Sequence, residues 1–296
     1  MIRFEYVTKR YGTRRSGTLA LRDVSLEVPQ GSAVAVVGPN GAGKSTLFGL
    51  ALGFLRPTDG AITIGDSSPR EYVRGTGVSY LPERFDPPAP WRVGDMLRAL
   101  AHLDGEPAAA DRAIERWGLR PHVRKEVHEL SHGLRQRLGL AQALLVPREL
   151  VVLDEPHEGL DPLWRVRLRD VVLELRAAGH TVLIASHDLV EVERMASRAV
   201  LLEAGRVHSV LDTVAPPTPT HYRIRLAAPS DGFDAAFTGA AAAGTDEPVY
   251  DVEVRDADEL STRLAAAIDG GARIVAVAPK HDALEDRVRR ALEEDQ

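Results

Sequence analysis

Four short apolar runs stand out along the first two thirds of the chain: Ala33–Gly38 (AVAVVG), Leu150–Pro156 (LVVLDEP), Thr181–His187 (TVLIASH) and Ala199–Gly205 (AVLLEAG). Each run is continuous rather than alternating, as expected of a parallel strand covered on both faces. Helical patterns lie between them, so the spacing predicts a layered α/β domain with a mainly parallel sheet over residues 1–215. From about residue 85 to residue 148 the pattern turns mostly helical and reads as an insertion, entered through the exposed stretch Asp86–Trp91 (DPPAPW). Beyond residue 220 the period changes. Tyr222–Leu226 alternates, and so does Val249–Val254, with Tyr250, Val252 and Val254 on one face; Arg273–Ala278 is a third strand candidate. Leu260, Leu264 and Ile268 fall at i, i+4, i+8, as do Leu284, Val288 and Leu292, so each set marks a helix with one apolar stripe. The prediction is a small α+β domain over 221–296. A linker at 216–220 precedes it, where Pro216, Pro217 and Pro219 break any helix.

Charge sharpens that division. Residues 231–296 hold sixteen acidic and seven basic side chains, a net of −9, which leaves +3 for the rest of a chain whose total is −6. An acidic total argues against a broad nucleic-acid surface. The chain has no cysteine, which excludes disulfides and thiolate metal sites and fits the cytosol. No apolar run approaches 18 residues, and the N-terminus lacks the pattern of a secretory signal, so neither a transmembrane segment nor a signal peptide is expected.

The run Gly38–Thr46 (GPNGAGKST) fits G-x-x-x-x-G-K-[ST] through Gly38, Gly43, Lys44 and Ser45. It follows an apolar run and precedes a credible helix at Thr46–Phe54, the strand–loop–helix context that a phosphate loop requires. A Gly-rich turn could match by accident, but not readily in that context. In the functional reading Gly38, Pro39, Asn40, Gly41, Ala42, Gly43, Lys44, Ser45 and Thr46 form a nucleotide cradle. The glycines let the backbone curl so that N–H groups point at phosphate oxygens. Lys44 would reach the β- and γ-phosphates and Ser45 would ligate Mg²⁺.

Asp154 and Glu155 directly follow four apolar residues, which puts them at the carboxyl end of a buried strand, where such sheets bind ligands. An Asp-Glu pair after a strand is usually a solvated turn. Beside a phosphate loop the expectation reverses: Asp154 would hold Mg²⁺, and Glu155 would act as general base for an attacking water. Pro156 stops the strand, and the turn Gly159–Pro162 (GLDP) leads into a helix starting near Leu163. His187 ends another buried run, where its imidazole could meet a γ-phosphate or a water. Tyr11 offers a ring that could stack on adenine.

Taken in order, these elements closely resemble the ATP-binding subunit of an ABC transporter, over roughly residues 2–214. The aromatic element is Tyr11, Walker A is Gly38–Thr46, and the Q-loop position falls in Tyr80–Arg84 (YLPER). The signature falls at Leu130–Leu134 (LSHGL), Walker B at Leu150–Pro156, the D-loop at Gly159–Pro162 and the switch histidine at His187. The resemblance implies that two ATPase domains, as a homodimer or heterodimer, sandwich two ATPs. Each ATP would be gripped by one subunit's Walker A and the other's signature, here Ser131 and Gly133, with Asp161 of the D-loop at the same interface. It also implies that the helical insertion contacts a membrane permease, which would hold the chain at the cytoplasmic face of the membrane.

Two departures matter. Glu83 stands where the family usually has Gln; its carboxylate can still ligate Mg²⁺ or hold a water, but adds negative charge beside the γ-phosphate. In the signature, His132 and Leu134 replace Gly and Gln. The hydroxyl of Ser131, the N–H of Gly133 and the helix N-terminus survive, while Leu134 loses an amide worth about 1 kcal/mol of hydrogen bonding. The expectation is a working but weakened nucleotide grip rather than a bare helix cap. The short insertion and the C-terminal extension further resemble the ATPase subunits of ABC-2 type, drug-resistance-like exporters. The alternative is a soluble ABC ATPase acting on a regulatory, DNA or ribosomal partner; fused ATPase pairs, long coiled coils and Cys clusters, which mark such proteins, are absent. A GTPase would leave the missing guanine-reading NKxD unexplained.

Overall fold

A computed structural model describes residues 1–12, 17–88, 90–213, 221–243, 248–279, 284 and 287–288. The chain divides into two compact units that part after Thr213. The expected proline linker lies outside the described residues, as does Leu292.

In chain order the first unit contains β1 (Ile2–Tyr11), β2 (Thr18–Val28), β3 (Ala33–Val37), α1 (Lys44–Ala51), β4 (Asp59–Ile64), α2 (Pro69–Gly75) and β5 (Ser79–Leu81). There follow α3 (Val93–Leu103), α4 (Ala109–Arg116), α5 (His132–Ala143), β6 (Leu150–Asp154), α6 (Pro162–Ala177), β7 (Thr181–Ser186), α7 (Leu189–Met195), β8 (Arg198–Glu203) and β9 (Arg206–Asp212). Six strands make the principal sheet in the order β5-β6-β7-β3-β8-β9. All its pairings are parallel except β8 with β9, an antiparallel edge. Residues of β3, β6 and β7 are buried throughout, which is why these strands read as unbroken apolar runs.

A second, three-stranded antiparallel sheet, β2-β1-β4, was not anticipated. Its strands expose one face and bulge repeatedly: β1 shifts register against β2 between Phe4 and Val7 and twice more, so no clean period-2 signal survives. Ile2, Phe4, Leu26 and Ile64 from this sheet share one core with Val34 and Val36 of β3, Leu47 and Phe48 of α1, and Leu183 and Val200 of the principal sheet. That shared core anchors the loop between β3 and α1 from both sides. The expected helical insertion is present as α3, α4 and α5 with short 3-10 turns at Arg120–His122 and Val127–Glu129.

The second unit contains β10 (His221–Leu226), α8 (Asp231–Ala236), β11 (Ala241–Ala242), β12 (Val249–Glu253), α9 (Ala257–Asp269) and β13 (Ile274–Pro279). Its four strands form an antiparallel sheet in the order β11-β12-β10-β13. Its core includes Ile224, Val252, Leu260, Phe233 and Phe237. The stripe expected on α9 needs correction: Ile268 is 56% exposed, whereas Ala267 is fully buried. At 3.6 residues per turn, eight residues overshoot the starting face by about 80°, while seven return within about 20°. The register is therefore i, i+4, i+7.

Candidate functional site

The register of the parallel strands places the chemistry at one edge. Val37 pairs with Ser186 and Asp154 with Ala185, so the carboxyl ends of β3, β6 and β7 open side by side. The cleft there has a volume of about 400 Å³, and its walls include Pro39, Asn40, Gly41, Gly43, Lys44, Ser45, Thr46, Glu83, Asp154, Glu155 and His187. Residues 120 or more apart in sequence thus meet in one place.

The loop needs its glycines. Gly38 has φ 159° and lies against the Leu202 carbonyl, with no room for a Cβ; at Gly43, φ 111°, a Cβ would stand 2.7 Å from the Ala20 carbonyl. Gly41, φ 84°, faces open space. Gly38 and Ala42 are not on the cleft wall. Ala42 is buried, and its N–H donates to the Pro39 carbonyl at 3.1 Å. Lys44 Nζ donates to the Gly38 carbonyl at 2.7 Å and lies 3.7 Å from Glu155 Oε1. Tyr11 approaches from the antiparallel sheet, its hydroxyl 3.3 Å from Thr46 Oγ1.

Glu155 is nearly buried and has φ 47°, a left-handed conformation that turns its side chain off the line of β6. Its N–H donates to the Ala185 carbonyl at 3.0 Å. Oε2 lies 3.0 Å from His187 Nδ1. Asp154, also buried, is pushed up to about 7, chiefly by burial, then by the charges of Glu83 and Glu155, against which Lys44 pulls it down. Glu83, two residues past the end of β5, is exposed and lines the same cleft.

Two contributors carry no sequence signal of their own. Gln136, buried in α5, donates from Nε2 to the carbonyls of Pro156 (3.0 Å) and Glu155 (3.3 Å), bracing the backbone of the acidic turn. His157 packs beside Glu155, its Nε2 3.7 Å from Oε2, with burial holding its pKa below the usual histidine range. Nineteen residues separate Gln136 from Glu155, so only folding joins them. His157 sits two residues past Glu155, a spacing that is visible but unremarkable by itself.

Ser131, Gly133 and Asp161 are elsewhere. They line a second depression of about 250 Å³, with Leu134, Gly159 and Trp164, and none borders the phosphate-loop cleft. Ser131 caps α5, accepting from Leu134 N–H at 3.4 Å, and Asp161 caps α6, accepting from Leu163 and Trp164 N–H at 3.1 Å. A Cβ on Gly133 would stand 2.7 Å from the Gly159 carbonyl, and a Cβ on Gly159 would collide with the His132 ring. His132, the unusual signature residue, therefore fills the space that Gly159 leaves.

The family model for ABC transporters matches residues 21–158. The chain is 34% identical over 224 residues to the aliphatic sulfonates import ATP-binding protein SsuB 2 of Pseudomonas aeruginosa, a match covering 75% of this chain and 79% of that protein. The chain belongs to the ATP-binding proteins of ABC transporters. It is thus an ATPase of that family. It is also 31% identical to the fluoroquinolones export ATP-binding protein of Mycobacterium tuberculosis, over 76% of this chain and 73% of that protein. The match spans between 55% and 79% of the curated relatives' lengths. In fold, the dimeric bacterial ABC transporter cassette MJ0796 superposes with a TM-score of 0.67 at 22% identity, covering 73% of this chain and all of that one. Import and export names both occur among the relatives, so membership leaves direction open. Among the described residues, no helix is long and apolar enough to cross a membrane.

Proposed function

We propose that this chain is the ATP-hydrolysing subunit that drives a separate integral-membrane permease of the ABC-2 type, as part of an exporter held at the cytoplasmic face of the membrane. The observation that carries the ATPase reading is the division of one chain into two unlike half-sites: a phosphate-loop cleft, and a separate face bearing Ser131, Gly133 and Asp161. A second copy or a homologous ATPase, turned to face the first, completes both. Export is supported by the C-terminal extension of residues 221–296, the arrangement of that exporter group.

In this reading the phosphates of ATP take over Lys44 from the Gly38 carbonyl and Glu155, exchanging a neutral acceptor for charged ones. Ser45, Asp154 and Glu83 would hold Mg²⁺; all three offer hard oxygen donors to one cleft, which suits that ion. Bound there, Mg²⁺ supplies neutralisation of charge on the β- and γ-phosphate oxygens. Lys44 shares that work and orients the γ-phosphoryl group. Glu155 accepts a proton from the water that attacks the γ-phosphorus, yielding ADP and phosphate. His187, bonded to Oε2, holds the carboxylate in place. Tyr11 stacks near the base, and Ser131 with the α5 N-terminus grips the γ-phosphate of the facing subunit's nucleotide.

The test is the solution mass of Glu155→Gln with and without Mg-ATP, by size exclusion with light scattering. The substitution removes the base and keeps the cleft, so an ATP-dependent dimer is expected, and Ser131→Arg should abolish it. A protein that binds ATP yet stays monomeric under both conditions would refute assembly between copies of this chain.

A further inference from the structure

Glu155, His157 and His187 bring one carboxylate and two imidazoles together with ligand atoms all within 4.8 Å of one another. Oε2 of Glu155 is the hub, 3.0 Å from His187 Nδ1 and 3.7 Å from His157 Nε2. His157 is only 3% exposed, and neither of its ring nitrogens has a hydrogen-bond partner among the described residues. Burying two unsatisfied ring nitrogens is costly. The assigned hydrolytic chemistry does not use them.

We propose that these three residues form a site for a borderline transition-metal ion of the Zn²⁺ class, separate from the oxygen-lined Mg²⁺ position at Ser45, Asp154 and Glu83. Two nitrogens and one carboxylate oxygen select Zn²⁺, Co²⁺ or Ni²⁺ over Mg²⁺ and leave a coordination position for water. Bonds of about 2.1 Å put neighbouring ligands of a tetrahedral ion about 3.4 Å apart. The two separations around Oε2 bracket that value. Closing the third asks only for movement of His187, whose side chain is 60% exposed. The carboxylate is divided between its neighbours: Lys44 faces Oε1 and the histidines face Oε2, so the lysine does not stand between the ligands. Metal binding follows from this geometry alone. Its consequence rests on the role proposed above for Glu155: an ion on Oε2 occupies the base and stalls hydrolysis until it is removed.

The full chain, free of nucleotide and of any histidine tag, is titrated with Co²⁺ and followed by visible absorption. Wild type should take up one ion per chain with the bands of a four- or five-coordinate nitrogen-ligated site, displaced by Zn²⁺ but not by excess Mg²⁺. His157→Gln and His187→Ala should each weaken uptake by about tenfold or more. His187→Ala alters an exposed side chain, so it tests the site even where His157→Gln fails to fold. No such uptake by wild type, or uptake unchanged in the folded variants, would overturn the proposal. Chelator-reversible inhibition of ATP hydrolysis by Zn²⁺ is the expected second readout. A protein that binds Co²⁺ at these residues but hydrolyses no ATP would keep the metal site and sink the hydrolytic reading.

Discussion

Asp154 carries a cost that pH exposes. Its carboxyl has an ordinary value of 3.8 but sits at about 7 in the fold. Between those values the unfolded chain has lost the proton while the folded chain still holds it, so stability falls as pH rises through that window and the loss is complete above about 7. In nucleotide-free protein, Asp154→Asn should therefore melt higher than wild type, by a margin that grows from pH 5 to about pH 7 and then levels off. Thermal melts across pH, without Mg²⁺, would show it; a pH-independent difference would contradict it. Gly159 is the other revealing position. Its φ of 71° and the His132 ring leave no place for a side chain. Gly159→Ala should cost about 1–3 kcal/mol through strain and overpacking. Part of that should return in a His132→Gly background. A double-mutant cycle in urea that found the two changes additive would show that His132 and Gly159 are not energetically coupled.

At the level of elements, α5 is held at both ends of its task. Its N-terminus rests on the turn at Gly159, and Gln136, one turn in, braces the carbonyls that follow β6. The Arg137 guanidinium lies 4.3 Å over the Trp164 ring, and Trp117 stacks on the same tryptophan at 6.4 Å between centroids. The helical insertion is thereby tied to the start of α6, so Ser131 and Asp161 are held side by side in one half-site. Gln136→Leu would take the amide donor from the Pro156 carbonyl and leave the Glu155 carbonyl with only the Glu158 N–H, at about 1–3 kcal/mol. Because one of those carbonyls belongs to Glu155, the same change should lower the ATP hydrolysis rate more than it weakens ATP binding. Equal effects on both would mean that Gln136 supports the fold but not the acidic turn.

For the whole molecule, the decisive fact is that all the cleft residues precede position 188, while the second unit has its own sheet and its own core. A chain ending at Thr213 should bind Mg-ATP within about threefold of the full-length affinity, or about 0.7 kcal/mol. Fluorescent-nucleotide titration of both forms checks this, and a larger loss would give the second unit a part in nucleotide binding. The same truncation removes residues 214–296, with a net charge of −7, and leaves +1 on a chain whose total was −6, so its isoelectric point should rise.

The buried strands β3, β6 and β7, and the middle of β8, were legible because a strand covered on both faces reads as a continuous apolar run. The phosphate loop was legible for a related reason: a backbone curled around phosphate requires glycines and a lysine at fixed spacing. The helical insertion and the alternating strands of the second unit could be read on the same grounds. The antiparallel sheet was not, since bulges and a solvated face blur its period. Nor could sequence say that Gln136 braces Glu155, that His132 fills the space beside Gly159, or that His157 lies bare against the carboxylate. Those relations join residues by packing and register, which local pattern does not encode. The chain's own order of residues determined which chemical groups are present and in which segments; only the tertiary structure decided which atoms meet, because strand order and helix docking set distances that spacing along the chain cannot.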